Sequence, residues 1–383
     1  MRFERQVVFW LCALAVFIGL LWALGGVLLP FAAALALGYV LDPVADRMER
    51  LGIPRLGGVV IILAVFLILL ALVLFFLVPV LMHQVQALIV NFPGYVTKLE
   101  KLASEQGASL FDRYGANLLE KFGVQGGVQA SDLQKPVGDL AGQAVSWAGN
   151  LVKGLWTGGQ AIVSLFSLLV VTPIVAFYML LDWDSMVKTI DGWVPLEHRV
   201  TVRRLAGEMD AAMAGFLRGQ SLVCLALGLW YGLGLSLVGL NFGLLIGLSA
   251  GLLSFVPYVG SLTALVVASL VAVVQGWPDY SLLGFSVGVV VIGQFLEGNF
   301  LSPWLVGGSV GLHPVWLMFA LLAAGSLFGF TGLILAVPLA AAAKVLLRFA
   351  LQRYLASSLY QGKIKSGNEA ITLITDSRHP GGL

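Results

Sequence analysis

In the stretch "VIGQFLEGNFLSP", an acid, Glu297, stands inside a run apolar enough to cross a bilayer, with Gln294 one helical turn before it and Asn299 two residues after. An acid at the centre of a membrane costs roughly 2.5–3.5 kcal/mol on insertion scales, and acids kept there serve ion or proton pathways by default. Gln294, Glu297 and Asn299 are therefore the candidate coupling group, with H+ or Na+ as the carried ion. No base is at hand to neutralise it: from Gly219 to Ala343 the only charged residues are Asp279 and Glu297. The competing expectation places Glu297 near the end of its span, at residue 301, where it reaches the interface.

Two breaks hold the other candidates. "FVPYVG" (255–260) interrupts the apolar run 241–275, and "GSLFGFTG" (325–332) interrupts the run 313–346. As a straight helix each run of about 34 residues would measure ~50 Å, against a hydrocarbon core of ~30 Å. Irregular backbone at that depth survives only where protein or a water-filled cavity satisfies it. Folded as re-entrant hairpins, the runs would bring their tips together near the midplane. Gly260, Ser261 and Thr263 on one tip, and Ser326, Thr331 and Gly332 on the other, would then offer helix-end N–H groups, carbonyls and hydroxyls to a small-molecule solute. The bland alternative is that these hydroxyls bond back to their own helices. An offset of 72 residues aligns Gly239-Leu240 with Gly311-Leu312, Ser254 with Ser326 and Gly260 with Gly332. Such a repeat predicts two hairpins of opposite sense with discontinuous helices, as in secondary transporters.

The elements that must position these groups are membrane spans. Windows of bilayer length fall at 7–28, 57–81, 155–181, 216–238 and 281–301. The shorter piece 29–41 follows Gly25-Gly26 and Pro30 and reads as a return arm after a tight turn. The composition agrees: 383 residues are 59% hydrophobic and 11% charged, far from an ordinary soluble domain. The fold class expected is an all-α polytopic membrane protein of about eight membrane segments, two of them long and broken. The organisation expected is membrane spans in 1–82, amphipathic helices outside the membrane in 83–150, a span in 151–182, a cytoplasmic amphipathic helix in 183–215, a transport core in 216–346 and a cytoplasmic tail in 347–383. In the fourth of these, Val202, Leu205, Met209, Met213 and Phe216 share one face, which predicts a helix lying along the membrane surface.

Orientation follows from Lys and Arg near span ends, which stay in the cytoplasm. Arg2 and Arg5, then Arg47, Arg50 and Arg55 in the stretch after Asp42-Pro43, then Lys344, Arg348 and Arg353, all predict cytoplasmic sides, chain ends included. The first apolar stretch, about 22 residues, exceeds the ~7–15 of a signal core, so no cleaved leader is expected. A net charge of +2 and basic residues without interleaved aromatics argue against a nucleic-acid partner. Cys12 and Cys224 lie far apart in apolar segments, and no metal centre or cofactor is expected. There is no HExxH, GxGD, GxSxG or Walker A motif, so the sequence points away from an enzyme.

"FVPYVGSL", "GQFLEGNFLSPWLVG" and "GLHPVWLMFALLAAGSLFGFTGLILAVPLAAAAKVLLRF", together with Asp42-Pro43 and "FLRGQ", resemble the autoinducer-2 exporter family of bacterial inner-membrane proteins. The resemblance covers most of the chain and is weakest in 83–150. It implies a permease of about eight segments that exports, in some members, a small hydroxylated signalling molecule, and in others is linked to sodium or proton antiport. It also implies a homo-oligomer, with a pentamer suspected, in the bacterial inner membrane, surrounded by lipid. The motif positions carried over are Pro257, Gly260, Gln294, Glu297, Pro303, His313, Pro314, Gly329, Gly332 and Pro338, which adds Pro257 and Gly329 to the candidate solute site. Two further readings stay open: a monovalent cation/proton antiporter, and a non-transporting envelope assembly protein.

Overall fold

The computed structural model describes residues 25–110, 159–307 and 311–357, with isolated positions 12, 16, 19 and 360; among these every regular element is helical. In chain order they are α1 (Gly25–Arg50), α2 (Arg55–Leu110), α3 (Gly159–Trp193), α4 (Arg199–Leu237), α5 (Gly243–Leu253), α6 (Val259–Gly276), α7 (Ser281–Leu296), a π-helical continuation of α7 (Glu297–Val306) and α8 (Pro314–Leu355). Seven helical segments among the described residues are long and apolar enough to cross a membrane, and α5 is a shorter apolar helix. The all-α polytopic expectation holds.

Helices α1, α2 and α3 form a scaffold around Ala34, Val59, Leu63, Ala176 and Leu180. Lipid tails give no hydrophobic drive between helices, so association rests on close packing and interhelical polar bonds. Arg55 supplies the polar bond here. Its guanidinium pairs with Asp42 (2.9 Å), Asp46 (2.7 Å) and Glu49 (3.3 Å) of α1, while Nε donates to Leu180 O (2.9 Å) of α3. A second fastening ties α1 to α4: Arg218 donates to Tyr39 O (2.6 Å), and Tyr39 Oη donates to Asp210 (2.7 Å). These bonds give a physical reason for two of the fragments behind the family resemblance, Asp42-Pro43 and "FLRGQ".

Four sequence expectations are corrected. No turn falls at Gly26–Pro30: α1 runs unbroken from Gly25 through Pro30 and Pro43, and residues 20–24 lie outside the described residues. Thr172 Oγ1 donates to the Pro30 carbonyl (3.3 Å), a bond that fastens α3 to α1 at this level. The stretch after Asp42 is the last turns of α1, and the loop proper is Leu51–Pro54, with Gly52 at φ 89. Of the amphipathic helices expected in 83–150, the part up to Leu110 is no separate helix, because α2 continues through it; the rest, 111–150, lies outside the described residues. Finally, 199–215 is the first part of α4, collinear with the span that follows, and so cannot lie flat on the membrane. Leu205, Met209, Met213 and Phe216 of its apolar face turn inward, and Val202 is exposed. The expected boundaries at 82, 182, 215 and 346 all fall inside helices, since polarity changes where lipid ends and a helix need not end there.

Helix α4 is the axis of the second half. α5 packs antiparallel on it, and the contact is glycine against backbone. A Cβ at Gly243 would lie 2.7 Å from Leu235 C, one at Gly251 2.5 Å from Gly228 N, and one at Gly247 would fall onto Gly232 N. α7 also packs antiparallel on α4, with Gly234 against Val289, Gly293 against Tyr231, and Gly219 against Leu305 and Val306 of the π segment. Asp279, in the turn before α7, caps that helix: it accepts from Ser281 N–H (2.9 Å) and Ser281 Oγ–H (2.8 Å), which holds its carboxyl below the usual range.

Both broken runs are hairpins. Asn241 N–H donates to Gln275 Oε1 (2.8 Å) and Gln275 Nε2 donates to Gly239 O (2.8 Å), so the two ends of the first run meet. Its arms are α5 and α6. In α8 the chain reverses at Gly329 (φ 59, ψ −137), giving arms 314–328 and 330–355. A Cβ at Gly332 would strike Ala324 O, impossible in a straight helix where those residues lie two turns apart. Lys344 Nζ reaches Gly311 O (2.7 Å) across the mouth. Because α4 and α7 run oppositely between them, the first hairpin opens at the Leu237 end of α4 and the second at the Arg199 end. α2 reaches the first mouth from the scaffold: Gln84 Oε1 accepts from Leu245 N–H (2.9 Å), Tyr95 Oη accepts from Asn241 Nδ2 (3.1 Å), and Lys98 Nζ donates to Val274 O (2.9 Å).

Candidate functional site

The first tip forms because Pro257 cannot donate and Tyr258 takes a left-handed conformation (φ 69), which turns the chain out of α5 and into α6. Phe255 and Val256 N–H bond to Leu252 O (3.2 Å) and Leu253 O (3.0 Å), closing the end of α5. The carbonyl of Ser254 is taken by Gln220 Nε2 (2.6 Å), a buried side chain of α4. Gly260 packs on Ser254 so closely that any Cβ would strike Ser254 Oγ and Ala250 O. On the α6 side, Val259 N–H bonds to Val256 O (3.2 Å) and Leu262 N–H to Tyr258 O (3.1 Å). Among the described residues, the N–H groups of Tyr258, Gly260 and Ser261 have no backbone partner at this tip, the last two at the start of α6.

Four hydroxyls bond back to their own helices. Ser254 Oγ donates to Ala250 O (2.9 Å), Ser261 Oγ to Tyr258 O (3.4 Å), Thr263 Oγ1 to Val259 O (2.7 Å) and Ser326 Oγ to Ala323 O (2.9 Å). At the second tip Gly329 and Ser326 are exposed, whereas Thr331 and Gly332 are buried between the arms. The tips do not meet end to end. Phe255 and Val256 of the first tip join one buried cluster with Leu321, Ala324, Leu333, Ala336 and Val337, which lie along the arms of the second hairpin, and with Phe216 and Leu217 of α4. The hairpins overlap at depth, and this apolar cluster closes the space between them.

Glu297 lies deeper than its place in the sequence suggests, because the helix does not end at 301. Pro303 lacks an N–H and clashes with the preceding turn, and the chain answers with a π-helical stretch from Glu297 to Val306. With Gly234 against Val289 and Gly219 against Leu305, Glu297 stands opposite the middle of the apolar part of α4. Gln294 Nε2 donates to Glu297 Oε2 (3.2 Å), so those two coupling candidates are brought together. Asn299 is not: its Nδ2 donates back to Phe295 O (2.9 Å). Across the contact with α4, the groups electrostatically near Glu297 are Cys224 and Tyr231.

Two residues at this site carry no sequence signal of their own. Gln220 stands out only through the Gly-Gln pairs at 219–220 and 293–294, and Tyr231 is one aromatic in an apolar run. The open cleft of about 340 Å³ lies away from both tips, at the mouth of the second hairpin, where Glu208 of α4 faces Lys344 and Arg348 of α8. Among the described residues no cluster of three His, Cys, Asp or Glu side chains could hold a metal ion.

Over residues 11–352 the chain matches the family model described as "AI-2E family transporter". It is 29% identical to the Bacillus subtilis protein named "Putative transport protein YrrI", over 84% of this chain and 86% of that one. It is 27% identical to "Putative permease PerM" of Escherichia coli K12, over 86% and 89% of the two chains. A Mycobacterium tuberculosis relative, "Putative transport protein MT0215", is 27% identical over 86% of this chain and 85% of its own.

Proposed function

The chain belongs to the AI-2E transporter family, and on that premise we propose that it is a secondary permease exporting a small, uncharged, hydroxylated solute of the autoinducer-2 kind. The observation that carries this reading is the pair of hairpins opening at opposite ends of the α4–α7 pair and overlapping at depth. Discontinuous helices of opposite sense, meeting where the solute binds, are how many secondary transporters expose one site to two sides. Neither tip bears a charged side chain; the first offers the N–H groups of Gly260 and Ser261 at a helix start, which suits a polar but uncharged partner. In the same reading Glu297, held by Gln294, carries the coupling proton.

The basic side chains Arg47, Arg50, Arg55, Arg199, Arg203, Lys344 and Arg348 gather at the end of the helices where the second hairpin opens, which supports a cytoplasmic assignment for that end in a bacterial inner membrane. Assembly with further copies of the chain remains part of the proposal through the family alone. A monovalent cation/proton antiporter is the second reading, favoured by one fact: the acid at mid-membrane has no Lys or Arg in 219–343 to pair with.

Reconstituted vesicles test the reading. Glu297→Gln keeps the shape and removes the charge, so gradient-driven flux of the hydroxylated solute should vanish while the protein stays folded. Equal flux by the two proteins across about pH 6 to 8 would remove Glu297 from coupling. Exchange of Na+ for H+ without any solute flux would replace the permease by the antiporter.

A further inference from the structure

The hydroxyl of Tyr231 serves neither the hairpin tips nor the packing around them. The side chain is fully buried, and Oη has no hydrogen-bond partner among the described residues. An unmade bond of a buried group is a standing cost, so such a group marks a place where a partner belongs. The ring lies over Gly293, where a Cβ would fall onto Cε1 and 2.9 Å from Oη. Glu297 follows Gly293 by four residues, hence on the same helix face and about one turn, ~5.4 Å, along. Gly293 has no side chain to fill the space between them.

We propose that Tyr231 and Glu297 together form one proton-binding site. Protonated, Glu297 turns toward α4 and donates its carboxyl O–H to Tyr231 Oη; deprotonated, it turns back and accepts from the Gln294 amide. The proton stays on the carboxyl oxygen until it leaves to water, and Tyr231 keeps its own proton throughout. The logic is desolvation. A neutral carboxyl with a hydroxyl partner can enter the dry contact between α4 and α7, whereas an ionised one is held at the half-exposed position where Gln294 offers an N–H. The groups facing Glu297 are Cys224 and Tyr231 from α4 and Gln294 from α7, none of them a charge that would hold the carboxylate on one side. The pairing rests on the reading of Glu297 as the coupling group and adds the residue that receives it.

The test needs no knowledge of the solute. Infrared difference spectra of the full chain in lipid vesicles, between roughly pH 5 and roughly pH 8, show the C=O band of protonated carboxyls. The wild type should give a band that Glu297→Gln deletes. Tyr231→Phe should move that band to higher wavenumber and lower its midpoint by about one pH unit, a tenfold weaker hold on the proton, because the neutral form has lost its acceptor. Ser286→Ala is the control. Among the described residues Ser286 is the other buried hydroxyl without a partner, on the same face but seven residues before Gly293, and its removal should change neither band nor midpoint. Above the midpoint of the band, where Glu297 is ionised and turned to Gln294, Tyr231→Phe should melt no lower than wild type, since it discards an unpaired polar group. An unmoved band and midpoint in Tyr231→Phe would overturn the pair while leaving Glu297 in place. A lower melting temperature at a pH above that midpoint, where the proposal leaves the hydroxyl unpaired, would also overturn it, because the hydroxyl would then be structural. No band deleted by Glu297→Gln would overturn the pair and the coupling role of Glu297 together.

Discussion

Adding one methyl group to the α4–α5 contact should separate the two helices. Carbon atoms rest ~3.5–4.0 Å apart, yet the methyl of Gly243→Ala would sit 2.7 Å from Leu235 C and that of Gly251→Ala 2.5 Å from Gly228 N. Gly247→Ala is the most crowded of the three, because its methyl falls onto the backbone of both Tyr231 and Gly232, atoms that cannot swing aside. To restore contact distance α5 must back away by about 1 Å or more, and overpacking of this kind costs ~1–3 kcal/mol. The strain also reaches the first tip, since Ser254 ends the same helix and its carbonyl is held by Gln220 on α4. We expect Gly247→Ala to lower the melting temperature of the detergent-solubilised protein by several degrees, read as the monodisperse fraction left after heating, and to reduce flux in proportion. Gly284→Ala and Gly288→Ala on α7 have open space around the new methyl and should be neutral or slightly stabilising, alanine being the better helix former by ~0.5–1 kcal/mol. If Gly247→Ala melts with Gly288→Ala, the helices are not in backbone contact and the register of α5 on α4 is wrong.

Gly329→Ala should destabilise by ~1–3 kcal/mol, because φ 59 with ψ −137 suits only glycine, and the loss should appear in the same melting assay. Gly260→Leu and Gly332→Leu should each abolish flux, since their side chains would enter the backbone of the opposite arm; normal transport by both would mean that the hairpins can open. Arg55→Ala should cost ~1–2 kcal/mol, leaving Asp42, Asp46 and Glu49 unpaired at a surface where water screens part of the loss, and high salt should shrink the difference from wild type. A single cysteine at Asp279, after replacement of Cys12 and Cys224, should react with an impermeant thiol reagent added outside cells, whereas one at Arg348 should not. The reverse pattern would exclude the orientation proposed.

The breaks were legible because they are written in backbone chemistry: Pro257 cannot donate, and Gly260, Gly329 and Gly332 can go where other residues cannot. What closes the first hairpin was not, since Gln275 meets Gly239 and Asn241 only after the fold has formed. Pro30 misled because a proline removes one helical bond without having to end the helix, and α1 carries a second one at Pro43; the tilt of polarity at 199–215 misled because it reports where lipid ends. The depth of Glu297 depends on a π-helical stretch that one proline provokes. The spacing of Gly243, Gly247 and Gly251 was present in the sequence, but its meaning lies in Gly228 and Gly232 on another helix. Tyr231 is the extreme case: an aromatic in an apolar run looks the same whether it faces lipid or an acid.

As a straight rod α2 would be ~84 Å long, far more than a bilayer needs. Its foot is fixed at Arg55, and Gln84, Tyr95 and Lys98 grip the mouth of the first hairpin well up the shaft. Were α2 straight in spite of Pro79 and Pro93, a tilt of about 5° at the foot would sweep its far end by ~7 Å and the Lys98 level by ~5–6 Å, and the mouth of the first hairpin is bonded to that level.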